Sequence, residues 1–165
     1  MKFNSVKEYF YKLNNMGYQL MMVPLILFTL YYSRLIESLS GVVVLSREIA
    51  SILFFVLCGL NVIVLTLVQV MTARKARMIA REIGLGIKLE KLGTVLSRKM
   101  VAISIMVMLM PLALLITGDD YFSIAFGVAA LWFFLQWPTP GRVCRLLQLR
   151  GDEKEMVITR GEAFK

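Results

Sequence analysis

Residues 49–71 run for 23 positions without a charged side chain, and residues 100–117 and 121–137 do the same for 18 and 17 positions. A hydrocarbon core of roughly 30 Å needs about 20 apolar residues at a helical rise of 1.5 Å, within a range of about 17–25. Each run is therefore long enough to cross a bilayer. Residues 17–36 add a fourth, apolar as far as Ser33, with Arg34 placed to snorkel from its end. No water reaches backbone groups in hydrocarbon, so each crossing segment must pair its own N–H and C=O groups. The runs lack the alternation of a barrel strand, which leaves helices. The expected fold is all-α, with four transmembrane helices in a single domain of 165 residues. Composition agrees: 58% of residues are hydrophobic, against roughly 45–50% in soluble domains, and the mean hydropathy is +0.71.

Lysine and arginine beside the spans set the orientation. Three precede the first span, eight fall in residues 72–99 and six follow Trp137, seventeen in all. Only Arg34 and Arg47 lie in the two other connections. Four spans place the three rich groups on one side, so the N- and C-termini are expected to be cytoplasmic. The polar stretch ahead of the first span is too long for a cleaved signal sequence, so that span reads as an uncleaved anchor. The formal charge of +8 has the same origin. It predicts contact with anionic headgroups on the cytoplasmic side rather than with nucleic acid, for which no motif is present.

Outside the spans, the apolar residues fall on helical faces. Residues 1–16 predict an amphipathic interfacial helix carrying Phe3, Val6, Tyr9, Phe10 and Leu13, opened by a Ser5–Glu8 capping box and ended by a turn at residues 14–17. Residues 72–99 predict an extended cytoplasmic helical connection, broken at Gly84 and Gly86. In the tail, 138–165, Thr139 and Pro140 have the pattern of an N-cap and first helical residue, with Gly151 as the stop. Residues 152–165 predict a short strand or an irregular end. The three-residue link Gly118–Asp119–Asp120 predicts a helical hairpin, with its aspartates capping the fourth helix.

The chain has no histidine, which removes His-ligated metals and Ser-His or Cys-His catalysis. No ionisable residue lies within the four apolar cores, where an embedded charge would be the usual sign of transport or a proton relay. Arg34 and Glu37 are spaced for a local ion pair. Ser51, Cys58, Asn61 and Gln69 fall within an arc of roughly 80° on the second span, a polar stripe expected to face protein. Ser123, Gly127 and Ala130 form a small-residue packing face on the fourth. Between spans two and three, Ile79, Ile83, Leu89 and Leu92 are candidates for docking a partner, and Arg74, Arg77 and Arg81 for lipid or an acidic surface. Cys58 and Cys144 sit in separate contexts and predict no disulfide.

The sequence thus points to no catalytic residue, cofactor or metal. It predicts a non-enzymatic, multi-pass accessory or scaffold subunit, in a bacterial inner (plasma) membrane, that assembles with other membrane subunits or as a homo-oligomer. The alternative is a small oligomeric channel or transporter using the polar face of span two. A lipid-modifying enzyme built around Asp119 and Asp120 ranks third.

Overall fold

A computed structural model describes residues 3, 5–33 and 46–159. The described residues form six helices: α1 (Val6–Tyr32), α2 (Arg47–Ile79), α3 (Leu85–Thr117), α4 (Tyr121–Leu135), α5 (Pro140–Leu147) and α6 (Gly151–Thr159). No strand occurs among them. Helices α1, α2 and α3 are long and apolar enough to cross a membrane, which fits a multi-pass membrane protein. Helix α4 is equally apolar, but its 15 residues span only about 22 Å, and it meets the same length test only when taken together with α5. The Arg34–Glu37 pair and the end of the first predicted span lie outside the described residues.

The chain divides into two compact units, both drawing on α1, α2 and α3. A charged unit combines residues 1–18, 67–100 and 137–165, and an apolar unit combines 19–66 and 101–136.

The charged unit has its own hydrophobic core. Val6, Tyr9, Phe10 and Leu13 of α1 meet Ala76 and Ile79 of α2, Leu85, Leu89, Leu92 and Leu96 of α3, Val143 and Leu147 of α5, and Val157 of α6. Two expectations change here. The N-terminal segment is not a separate interfacial helix: α1 runs unbroken through residues 14–17, and its apolar face is covered by protein. The Ser5 cap is present, its Oγ accepting from the Glu8 N–H at 3.1 Å. Residues 151–159 are helical, where the sequence predicts a strand or an irregular end, and residues 160–165 lie outside the described residues. Asp152 and Glu153 occupy the first turn of α6, where carboxylates complement the helix dipole. Burial of Val157 and a 2.9 Å ion pair from Lys88 to Glu153 hold α6 against α3. Gly151 begins this helix, and α5 closes one turn earlier on Gln148 in the left-handed conformation. Thr139 does cap α5, with Pro140 behind it.

Between α2 and α3 the chain reverses at residues 80–84, and Gly84 takes φ of +94°, a conformation nearly free for glycine and costly for other residues.

The apolar unit is joined differently. Phe28 of α1 stacks on Phe126 of α4 at 4.5 Å between ring centroids, and Phe54 of α2 meets Phe122 of α4 edge-on at 5.4 Å. Aromatic pairs in these arrangements contribute about 0.5–1.5 kcal/mol beyond their buried area. Helix α4 is thereby fastened by phenylalanines, with Phe122, Phe126 and Phe133 its buried positions.

Leu92 is fully buried in the charged unit's core, so Leu92→Ala should cost about 2–5 kcal/mol. Tyr9 differs. Its ring is equally buried, yet its hydroxyl has no hydrogen-bond partner, and burial pushes its pKa up. An unmade hydrogen bond of this kind costs about 1–3 kcal/mol, so Tyr9→Phe should leave stability unchanged or raise it. Reversible unfolding in mixed micelles measures both. A loss in Tyr9→Phe as large as that in Leu92→Ala would contradict the assignment.

Candidate functional site

Proline sits inside α1 at position 24 and inside α3 at position 111. Proline has no N–H, so the carbonyl four residues before it loses its helical donor. For Pro24 that carbonyl belongs to Leu20, and the Ser104 hydroxyl of α3 donates to it at 2.7 Å. Serine and threonine side chains serve this purpose where membrane helices carry proline. Two residues further along α3, the amide nitrogen of Asn61 in α2 donates to the Met106 carbonyl at 3.3 Å. Met106 adjoins Val107, whose own carbonyl Pro111 deprives of a helical donor. Two side-chain-to-backbone clamps, Ser104–Leu20 and Asn61–Met106, thus tie α1 and α2 to α3 within the apolar unit. Asn61 and Ser104 are each only 7% exposed.

The remaining members of the α2 stripe are spent separately. Ser51 is exposed and donates to the Glu48 carbonyl of its own helix. Cys58 is half-buried. Gln69 belongs to the charged unit, where its side-chain oxygen accepts from Lys99 Nζ at 2.7 Å. On α4, Ser123 and Ala130 are half-buried and Gly127 is exposed; a Cβ added at Gly127 would meet nothing within 4 Å. The small-residue face is therefore not the face that binds α4 to the rest of the apolar unit.

The docking candidates separate in the same way. Ile79, Leu89 and Leu92 are interior to the charged unit, while Ile83, in the reversal between α2 and α3, is 90% exposed. Arg74, Arg77 and Arg81 are all exposed.

A polar cluster of the charged unit was not legible beforehand. Trp137 Nε1 donates to Asn14 Oδ1 at 2.8 Å, and its ring lies 4.9 Å from that of Tyr18. Gly17 makes this approach available: a Cβ there would come within 2.8 Å of the Trp137 ring and 2.5 Å of Met100 Cε. The glycine predicted to turn the chain instead admits an indole. Arg142 Nη1 donates to the Trp137 carbonyl at 3.4 Å. Lys99, just ahead of the 100–117 run, has its pKa lowered to about 8, first by burial and then by the Arg142 guanidinium.

At the start of α4, the Asp119 carboxylate accepts from the Tyr121 N–H at 3.2 Å, and Thr117 Oγ1 accepts from the Asp119 N–H at 3.3 Å. Asp120 makes no side-chain cap. An open cleft of about 1370 Å³ lies beside them, its lining including Glu48, Ser51, Phe54 and Tyr121. Among the described residues, no three His, Cys, Asp or Glu side chains gather closely enough to hold a metal ion. Cys144 is buried, its thiol 3.9 Å from the Lys154 carbonyl, and burial pushes its pKa up in spite of the Lys154 charge. It has the setting of a packed, unreactive side chain.

The clamp at Pro24 makes a coupled prediction. Ser104→Ala should destabilise the protein by about 0.5–2 kcal/mol, the usual range for a hydrogen bond between membrane helices. In a Pro24→Ala background the residue at position 24 supplies its own N–H to Leu20, so the same substitution should cost close to nothing. A double-mutant cycle in mixed micelles reads this coupling directly, and additive effects would refute it.

Compared with protein-family models, curated proteins and solved structures, the chain matches none.

Proposed function

We propose that this protein is a non-enzymatic integral membrane accessory or scaffold subunit of a bacterial inner membrane. In this reading it has four transmembrane helices, α4 being the fourth, with both termini cytoplasmic. It assembles through helix packing with a larger membrane complex or with copies of itself.

One observation carries the reading. Among the described residues, nothing lies within 4 Å of where a Cβ at Gly127 of α4 would stand, although glycine inside a helix is unfavourable unless something exploits the space. Gly59 of α2 is open in the same way. Close backbone approach at small residues is how membrane helices associate where burial of apolar surface supplies little drive. The two helices also present large apolar side chains outward, among them Phe55, Val62 and Ile63 on α2 and Ile124, Val128 and Leu131 on α4. The channel reading has less behind it. Its central residue, Asn61, already donates within the chain, and Ser51 and Gln69 are engaged elsewhere.

Reporter fusions at Lys165 and within residues 39–44 should report opposite sides of the membrane, and the same side at both would exclude four spans. Purification in mild detergent should yield a mass above that of one 18.8 kDa chain, and Gly127→Leu should reduce it towards the monomer. A parent protein that is monomeric and free of companions at every protein-to-detergent ratio would remove the assembly reading.

A further inference from the structure

We propose that the end of α2 beyond the apolar run is a docking face for an acidic amphipathic helix of a partner protein. Ala76 and Ile79 turn one side of this segment into the charged unit's core. Stepped at about 100° per residue, Arg74, Arg77 and Met78 lie together on the other side, and all three are exposed. Arg81 carries the row into the turn that follows, its N–H donating to the Met78 carbonyl at 3.2 Å. Ile83, two residues on, is 90% exposed. Among the described residues, no side chain pairs with any of the three guanidinium groups. The adjoining carboxylate, Glu82, is taken by Lys91. The face therefore offers three uncancelled positive charges, three and four residues apart, around an exposed methionine.

That composition commits to one kind of occupant. A helix laid along α2 meets it at every third or fourth residue, so carboxylates at that spacing reach all three arginines in turn. Guanidinium groups take carboxylates as two-pronged partners. Met78 supplies an adaptable apolar surface for a stripe of aliphatic side chains beside those carboxylates. A charge that only fixes orientation in the membrane requires neither Met78 nor Ile83.

Distance argues against the bilayer as the occupant. Met71 closes the charge-free run, and α2, which contains no proline, continues to Ile79. At 1.5 Å per residue, Arg77 stands about 9 Å and Arg81 about 15 Å beyond Met71 along the helix. Headgroups occupy roughly 5–8 Å of each leaflet, and their attraction fades over a Debye length of about 8 Å. Arg74 is within their reach, whereas Arg81 projects past them. This step rests on the proposed topology and adds a contact in water to the helix packing proposed within the membrane.

Arginine modification by phenylglyoxal, read residue by residue by mass spectrometry, tests the face on the full chain in phosphatidylcholine nanodiscs. The probe is a synthetic amphipathic helix with glutamates at three- and four-residue spacing and leucines beside them. It should protect Arg74, Arg77 and Arg81 and leave the exposed Arg98 and Arg150 reacting as before. A peptide of the same composition, its glutamates scattered round the helix, should bind about fivefold or more weakly, the upper worth of one exposed ion pair. Arg77→Gln and Arg81→Gln should each weaken binding about two- to fivefold and reduce its salt dependence. Met78→Ser should weaken binding and leave the salt dependence as it was. Protection of Arg81 by phosphatidylglycerol nanodiscs without peptide would assign the face to the lipid surface and overturn the proposal. Equal protection by the scattered peptide or by a short DNA duplex would overturn it too, as would parental affinity in Met78→Ser. Oligomeric mass and reporter fusions test assembly and topology separately, so a monomer that binds the peptide ends self-assembly and leaves this face standing.

Discussion

A carbonyl oxygen without a donor is expensive in hydrocarbon, and Pro24 creates one inside the first long apolar helix. The hydroxyl that satisfies it comes from Ser104, 84 residues further along the chain. That single repair fixes which face of α3 meets α1 and at what height. Asn61 then fixes α2 against the same turn of α3, by a bond to Met106. Helix α3 is thus the common partner of the two polar contacts, and α4 is held to α1 and α2 by phenylalanine pairs. The division has a physical basis. Lipid tails are as apolar as leucine, so directional hydrogen bonds and ring packing provide the specificity that burial provides in water.

In the charged unit, burial of apolar surface takes over. Leucines at 85, 89, 92 and 96 present a stripe of about one residue per turn on one face of α3, and α1, α5 and α6 each contribute a patch to cover it. Covering a leucine is worth on the order of 1.5–3 kcal/mol, which accounts for the recruitment of the short C-terminal helices into this core. These side chains have found partners within the chain and are not held ready for another protein. Outward in this unit lie Arg74, Arg77 and Arg81 and several large apolar side chains, Tyr11, Met78 and Ile83 among them.

Much of the helical content is readable from periodicity and caps: helices at the apolar runs, the break at Gly84 (Gly86 lies inside α3), the Thr139–Pro140 start and the aspartate cap before α4 all rest on local chemistry. Long-range pairing was not readable. Nothing near Ser104 advertises a proline in another helix, and nothing near Asn14 advertises an indole 123 residues away. Gly17 misled for a related reason, because a glycine that permits a turn and one that admits a neighbouring ring are alike in sequence. The 151–159 segment misled through its Met-Val-Ile triplet, where β-branched residues suggested a strand while the acidic first turn and a single buried valine favour a helix. On α4 the small residues predict a packing face, whereas the buried positions are Phe122, Phe126 and Phe133.

Residues outside the apolar runs form a core of their own, covered by side chains of this chain. Amide hydrogen exchange on the isolated protein in detergent tests this most directly. The prediction is slow exchange in residues 6–13 and 85–96 and in α5 and α6, lost together in a single cooperative step as denaturant is added. Rapid exchange in α1 before residue 14 and in α5 and α6, with protection confined to the apolar runs, would contradict it.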